Sequence, residues 1–180
     1  SYSPVDGYVD LKEAICSKFK RDNGLDYKPS QVVVSTGAKQ SIANLCMVLL
    51  NPGDEVLLPA PYWVSYSAIA TLAEAKSIII PSSIETDFKI TPKQLEAAIT
   101  PKTKLVMFNS PNNPSGTIYT EAEYRALGKV LEKYPDIYIL SDEIYELINY
   151  GKPHFSIAAI PALYDRTITV NGVAKAFAMT

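Results

Sequence analysis

The stretch at residues 171–180, Asn-Gly-Val-Ala-Lys-Ala-Phe-Ala-Met-Thr, places one lysine among small and apolar neighbours. It follows an apolar run at residues 167–170 that is typical of a buried strand, so Lys175 is expected in the turn just past that strand's carboxyl end. Ligands bind at this edge of open α/β sheets. The apolar neighbours predict that the amine loses hydration, which makes it a better nucleophile toward an aldehyde. A solvated loop lysine is the alternative, because most lysines lie in solvent.

A turn of small residues near the start of the chain is a second candidate for chemistry. The valines at 32–34 predict a short buried strand, and residues 35–40, Ser-Thr-Gly-Ala-Lys-Gln, lead directly into an apolar helix at 41–50. This geometry directs free backbone amides and the positive end of a helix dipole toward a phosphate. The motif is neither a Walker sequence nor GxGxxG, so a helix start that binds nothing is the alternative.

Polar residues also follow other predicted strands. Residues 109–116, Asn-Ser-Pro-Asn-Asn-Pro-Ser-Gly, predict a rigid loop whose side chains are held for hydrogen bonding. Asp142 follows the predicted strand at 137–140, where a buried carboxylate needs a cationic partner or several donors. Trp63 lies just past the predicted strand at 55–59, where its indole is expected either to cover a flat ring or to pack in the core.

Three other polar side chains are given structural roles from the sequence. Glu143 and Glu146 are expected to face solvent, and His154 is expected to be a loop or packing residue. With a single histidine in the chain, no metal site is predicted.

The order of elements predicts the fold class. Two more strands are predicted at 76–81 and 105–108. The strands alternate with predicted helices: one at 11–21, one that follows Trp63 and ends at about residue 75, one at 92–99 and one after Thr120. Asp10 and Glu13 are expected to cap the first helix and Gly24 to end it. This alternation with short connections predicts an α/β fold, with a doubly wound, mostly parallel sheet in a three-layer α/β/α arrangement.

The composition favours a protein that acts on small molecules. The 180 residues are 47% hydrophobic and 20% charged, enough for a buried core in one domain or a large piece of one. A formal charge of -2 gives no field to attract nucleic acid or anionic lipid. Cys16 and Cys46 are interpreted as reduced core residues of a cytosolic protein, and no signal peptide or membrane-length apolar run is apparent. The absence of an initiator Met suggests an excerpt of a longer chain.

Four strings in this order carry a family resemblance: residues 35–39, 109–116, 141–145 and 171–180. Over essentially the whole chain they resemble the class I and II aminotransferases, pyridoxal-phosphate enzymes of fold type I, and SPNNPSG, SDEIY and AKAFAMT are the specific parts. The chain is most similar to the bacterial aspartate aminotransferases of the thermophile-like subgroup. The resemblance implies that residues 1–180 are part of the cofactor-binding large domain, without the end of that domain or the small domain.

The resemblance also implies roles for the residues that hold the pyridoxal 5'-phosphate ring. Lys175 would form a Schiff base with the cofactor and later move a proton. Asp142 would pair with the pyridinium nitrogen and keep the ring protonated. Tyr145 and Asn113 would hydrogen-bond the phenolic oxygen of the ring, and Trp63 would stack on the ring. Trp63 and Asn113 would also contact the substrate.

Further roles implied by the resemblance concern the phosphate and the substrate. The turn at Gly37, with the amides of Ala38 and Lys39, would bind the phosphate. Tyr2 would reach the phosphate of a neighbouring subunit, which implies a homodimer with shared sites. The Lys39 side chain would meet the distal carboxylate of aspartate or glutamate, with a solvated lysine as the alternative.

The sequence departs from the family pattern in two respects. Gly172 and Ala174 stand where many members carry serine. The Gly-Trp-Arg string and a later arginine, expected to bind phosphate and the substrate α-carboxylate, are not within residues 1–180, so this excerpt is expected to be inactive alone.

The leading prediction is a cytoplasmic enzyme that moves the amino group of aspartate to 2-oxoglutarate. Within enzymes, the alternatives are an aminotransferase for aromatic amino acids or prephenate, or a β-lyase on the same scaffold. A cofactor-binding module of a transcription regulator is an alternative of another class, and would require an upstream winged helix-turn-helix domain. A generic nucleotide-binding domain explains the turn after Val34 but leaves Asp142, Asn113 and Lys175 without a common purpose.

Overall fold

Five parallel strands form one sheet in the computed structural model, which describes residues 2–151 and 153–180. Their order across the sheet is β2-β1-β3-β4-β5, and each neighbouring pair is parallel. The strands are β1 (Glu55–Pro59), β2 (Lys76–Ile80), β3 (Thr103–Asn109), β4 (Tyr138–Asp142) and β5 (Thr167–Val170).

Helices connect or precede these strands. They are α1 (Val9–Asn23), α2 (Ala38–Leu49), α3 (Ser65–Leu72), α4 (Pro92–Ala98) and α5 (Glu121–Leu131). Short 3-10 turns lie at Pro29–Gln31, Ile84–Thr86, Ile157–Ala159 and Pro161–Arg166. None of the helices in the described residues has the length and hydrophobicity needed to cross a membrane.

The sheet separates two groups of buried side chains, because successive residues of a strand face opposite sides. Leu57 and Val106 pack on one face with residues of α4, α5 and the late 3-10 turns. Val56 and Leu105 pack on the other face with residues of α2 and α3. The predicted three-layer α/β/α architecture around a parallel sheet is therefore confirmed.

The direction in which strands are added to the sheet reverses between β1 and β3. β2 joins one side of β1, whereas β3, β4 and β5 continue from the other side. In open parallel sheets, such a reversal leaves a crevice at the carboxyl ends of the two strands. Trp63 follows β1 and Asn113 follows β3, so two predicted site residues lie beside this crevice.

Polar caps fix the starts of α4 and α5. Thr120 and Glu123 form a reciprocal pair: the Thr120 hydroxyl accepts the Glu123 amide at 3.3 Å, and the Glu123 carboxylate accepts the Thr120 amide at 2.7 Å. Thr91 and Gln94 repeat this arrangement ahead of α4. Gly24 ends α1 with a positive φ of 67°, a conformation that glycine adopts without strain. The predicted helix starts at residue 92 and after Thr120, and the predicted end of the first helix at Gly24, are confirmed.

Two local predictions are wrong. Residues 32–34 are not a strand: Val34 donates one backbone hydrogen bond to Asp6, but no strand pairs with them in the described residues, and Val33 is 68% exposed. The first helix begins at Val9 and not after a cap at Asp10, whose carboxylate accepts the amide of the adjacent Leu11 and no other hydrogen bond from the described residues. Valine content favours extended backbone, but a strand also needs a neighbour to pair with.

Candidate active site

Asp142 is the last residue of β4, and its carboxylate lies in the interior at the sheet edge, where the residue is 3% exposed. One carboxylate oxygen accepts the hydroxyl of Tyr66 at 2.6 Å, and the other accepts the backbone amide of Ile144 at 3.2 Å. The sequence predicted that a carboxylate in this position would need several donors. These two contacts meet part of that need.

The surroundings of Asp142 set its protonation. Burial raises the pKa of Asp142 from 3.8 to about 6, and the nearby Glu143 also raises it, whereas the hydrogen bonds from Tyr66 and Ile144 lower it. Burial and the Asp142 charge hold the pKa of the Tyr66 hydroxyl far above its usual value, so this group remains a donor. A cation placed beside Asp142 would stabilise the ionised carboxylate.

The loop that follows β3 is hydrogen-bonded to the end of β4. The side-chain amide of Asn109 donates to the backbone oxygen of Asp142 at 3.0 Å, and its oxygen accepts the backbone amide of Asn113 at 2.7 Å. The side chain of Asn113 in turn donates to the hydroxyl of Tyr145 at 3.5 Å. Asn113 and Tyr145 are therefore brought together, with their polar groups beside each other.

Lys175 lies in the turn after β5, as its sequence position predicts. Its Nζ is 6.0 Å from the centre of the Tyr145 ring. The side chain is exposed in this structure, so the prediction of a dehydrated amine is wrong. Small and apolar neighbours do not dehydrate a lysine unless other elements cover the turn, and no element of the described residues does so.

The amino-terminal end of α2 brings Lys39 to the tryptophan. Gly37 precedes the helix with a φ of 85°, and no side-chain hydrogen bond caps it within residues 2–151 and 153–180. The ammonium group of Lys39 lies 4.9 Å from the centre of the Trp63 ring, a cation–π contact. The Trp63 ring meets Tyr66 edge-on, with 5.5 Å between ring centres. Aromatic contacts thus connect Lys39 to Tyr66, which binds Asp142.

Tyr2 stands apart from this arrangement. It is fully exposed near the amino terminus. Its predicted reach into a neighbouring subunit involves a second chain and stays a prediction.

An open groove of about 520 Å³ adjoins the site. Asn113 and Tyr145 lie on its wall, together with Pro111, Pro114, Ile118 and Ile148. A small organic acid fits a space of this size.

Glu143 and Glu146 are buried, so the prediction that they face solvent is wrong. Glu143 is 0% exposed and Glu146 is 5% exposed. Both carboxylates bind partners from other segments of the chain: Glu143 binds Ser156 and His154 of a following loop, and Glu146 binds Lys18 of α1. Their positions in the sequence gave no sign of these partners.

Tyr66 is a functional candidate that the sequence interpretation missed. It lies three residues after Trp63, a spacing that places two side chains on the same side of a helical turn. That spacing was the available signal. It could not identify Asp142 as the hydrogen-bond partner, because 76 residues separate Tyr66 from Asp142.

Comparison with known proteins gives a consistent set of similarities. A family model described as aminotransferase class I and II matches residues 1–180. An aspartate/prephenate aminotransferase of Cereibacter sphaeroides is 52% identical over 99% of this chain and 45% of its own length. The aspartate aminotransferase of Bacillus subtilis is 49% identical over 99% of this chain and 46% of its own length.

Solved structures agree with these sequence matches. The crystal structure of the aspartate aminotransferase from Rhizobium meliloti superimposes with a TM-score of 0.98 at 48% identity, over 100% of this chain and 46% of that one. The structure of the aspartate aminotransferase of Thermus thermophilus with maleate gives a TM-score of 0.95 at 41% identity, over 99% of this chain and 46% of that one. The chain therefore spans about half the length of the relatives it matches.

Proposed function

Because the chain belongs to the class I and II aminotransferases, we propose that the full-length protein moves the amino group of aspartate to 2-oxoglutarate with pyridoxal 5'-phosphate as cofactor. The observation that carries this proposal is the buried Asp142 carboxylate at the end of β4, on the sheet edge shared with Asn113, Tyr145 and Lys175. In this proposal, residues 1–180 are part of the cofactor-binding large domain. The test is an amino-donor exchange assay on the full-length protein.

The donors and acceptors at the sheet edge fit the chemical groups of pyridoxal phosphate. The Asp142 carboxylate, whose pKa burial raises to about 6, suits a protonated ring nitrogen. The Asn113 and Tyr145 pair suits the phenolic oxygen. Asn171, directly after β5, buries an amide nitrogen that has no hydrogen-bond partner in the described residues, so this edge retains a free donor. When bound, the cofactor supplies an electrophilic carbon and an electron-accepting ring.

The proposal gives each site residue a defined role. Lys175 binds the cofactor through Nζ and then transfers a proton to and from the substrate Cα. Asp142 keeps the ring nitrogen protonated, and Trp63 covers one face of the ring. The amides after Gly37, at the positive end of α2, bind the phosphate, which accounts for a helix start without a side-chain cap.

The proposal extends to assembly and location. Tyr2 contributes to the phosphate site of a second subunit, so the active form is a homodimer. The full exposure of Tyr2 is compatible with contact to a partner. Two free cysteines, Cys16 and Cys46, suit a reducing compartment, and we assign the protein to the cytoplasm.

A second candidate function is amino transfer to prephenate. The relatives from Cereibacter sphaeroides and Nitrosomonas europaea, at 52% and 51% identity, are both named aspartate/prephenate aminotransferases. Both substrates of such an enzyme carry a second carboxylate. Measuring rates with 2-oxoglutarate and with prephenate as acceptors separates the two candidates.

Lys39→Ala is expected to reduce kcat/KM for aspartate and glutamate about 10–100-fold, because a charged hydrogen bond to the distal carboxylate is lost. The rate with alanine or phenylalanine as donor should change little. Lys39→Arg retains the charge and serves as the matched control. Equal loss for all donors would show that Lys39 does not select dicarboxylates.

Tyr66→Phe is expected to raise the pKa of Asp142 above its wild-type value, because the lost hydrogen bond is one that lowers it. Carboxyl-carbon NMR of the cofactor-free, full-length protein measures this titration directly. At neutral pH we expect kcat/KM to fall about tenfold, since a hydrogen bond to a charged group contributes about 1.5–3 kcal/mol.

Tyr124→Phe is the control for that experiment. Tyr124 is also a buried tyrosine, and its hydroxyl pairs with Ser110 and not with Asp142. The control should leave the Asp142 titration unchanged. An unchanged titration in Tyr66→Phe itself would contradict the role given to Tyr66.

A further inference from the structure

Glu143 lies between two residues, Asp142 and Tyr145, that hold the cofactor ring in the proposed function. Its own carboxylate faces away from solvent, with the residue 0% exposed. Among the described residues, three side chains hydrogen-bond to this carboxylate: Ser141 at 2.8 Å, Ser156 at 2.6 Å and His154 Nε2 at 2.9 Å. A carboxylate oxygen accepts hydrogen bonds, so in this contact we assign the donor role to the imidazole N–H at Nε2.

The His154 side chain is buried, and its Nε2 is hydrogen-bonded to the Glu143 carboxylate. The side chain is 8% exposed, and Nδ1 has no hydrogen-bond partner in the part of the chain that the structure describes. The contact joins the end of β4 to the loop that leads into the 3-10 turn at Ile157–Ala159. His154 thus anchors Glu143 from a loop 11 residues further along the chain.

The same groups do not form a free metal site. Glu143, Glu146 and His154 offer ligand atoms within 4.8 Å of one another. However, all the carboxylate oxygens already have protein partners, since Glu146 binds Lys18 through one oxygen and Asn23 through the other at 3.1 Å. The cluster therefore holds the chain segment in place and leaves no carboxylate oxygen for an ion.

The backbone of Glu143 transmits this anchoring to the site. Its amide donates to Val170 O at the end of β5 at 2.8 Å, and the next amide, that of Ile144, donates to the Asp142 carboxylate at 3.2 Å. A displacement of the Glu143 side chain would shift both amides. The positions of the Asp142 carboxylate and the Tyr145 hydroxyl both depend on the backbone of residues 142–145.

We propose that His154 is a positioning residue, which acts through its hydrogen bond to Glu143 to hold Asp142 and Tyr145 in the geometry that binds the cofactor ring. This inference rests on the proposed function, because it assigns His154 to the same site. The imidazole acts as a hydrogen-bond donor at Nε2. A neutral donor at the same position is therefore sufficient.

The test compares His154→Gln with His154→Leu in the full-length protein. Gln places an amide N–H near the position of Nε2, whereas Leu fills the space without a donor. Two quantities are measured: the dissociation constant for pyridoxal phosphate, and the pH midpoint of the absorbance change of the bound cofactor. We expect His154→Leu to weaken cofactor binding on the order of tenfold and to move the midpoint. His154→Gln should stay within about twofold of the wild type in affinity and keep its midpoint.

Leu163→Ala is the control for a merely structural effect. Leu163 is fully buried in the core cluster, and as an apolar side chain it has no hydrogen bond to Glu143 to lose. This variant should lower the thermal unfolding midpoint and leave both cofactor measurements unchanged. If His154→Leu behaves like Leu163→Ala, or if the Gln and Leu variants behave alike, the inference is overturned. A wild-type protein that fails to bind pyridoxal phosphate would instead overturn the proposed function.

Discussion

Lys175→Ala is expected to lower the rate of amino transfer by the full-length protein on the order of 10⁴-fold. The lysine amine is proposed both to bind the cofactor and to move the substrate proton, and proton transfer by a positioned base alone contributes about 10²–10⁴-fold. Its place in the turn after β5, 6.0 Å from the Tyr145 ring, puts the amine beside the other proposed ring contacts. The measurement is the aspartate-dependent formation of glutamate from 2-oxoglutarate.

Two controls separate loss of the amine from loss of structure. Lys104→Ala removes a lysine that lies over the Tyr138 ring, away from the carboxyl ends of the strands, and should keep full activity. Added methylamine should restore part of the activity of Lys175→Ala, because a small amine can take the vacated position. Wild-type turnover in Lys175→Ala would mean that Lys175 is not the catalytic base.

Asp142→Asn is expected to reduce kcat on the order of 10²–10³-fold, because a neutral amide cannot stabilise a positive charge on the ring nitrogen. The substitution conserves shape. The Asn oxygen can still accept the Ile144 amide, and its NH₂ group can donate to the Tyr66 hydroxyl oxygen in place of the contact at 2.6 Å. The loss should therefore arise from charge and not from misfolding.

The same variant should be more stable than the wild type when cofactor is absent. The native pKa of Asp142, about 6, lies above the ordinary value of 3.8, so the native state binds the proton more tightly than the unfolded state. Its stabilising contribution is complete below pH 3.8 and is lost as pH rises through about 6. Asp142→Asn has no such loss, and at pH 8 it should gain up to roughly 3 kcal/mol relative to the wild type.

Urea unfolding of the cofactor-free proteins at pH 4 and pH 8 measures this difference. The stability advantage of Asp142→Asn should be small at pH 4 and largest at pH 8. An advantage that is equal at both pH values would show that Asp142 does not titrate as its burial predicts. A variant with wild-type kcat would remove Asp142 from the proposed mechanism.

Local signals predicted much of the fold. The bounds of β1 and β5 were predicted from short apolar runs between turn residues, and a helix start after Thr120 was also predicted. Residues 32–34 show where such signals fail. Their valines favour extended backbone, but strand formation depends on a pairing partner elsewhere in the chain, and within the described residues they lack one.

The site was predicted unevenly for a related reason. Strand ends located Asp142, Asn113 and Lys175, because the carboxyl ends of parallel strands meet at one edge. The burial of Glu146 was missed because its partner Asn23 lies 123 residues away in sequence. The exposure of Lys175 was missed because hydration depends on what covers the turn, and local composition does not contain that information.

The order of the strands has a consequence for synthesis on the ribosome. β5 is the last of these five strands to be made, yet it pairs with β4, and Val170 accepts the amide of Glu143. Until residues 167–170 leave the exit tunnel, β4 is an edge strand with unpaired backbone groups. A nascent chain that pauses before residues 167–170 emerge therefore exposes β4 as a template for intermolecular β-pairing. The exposed strand ends at Asp142, whose carboxylate is buried in the folded chain.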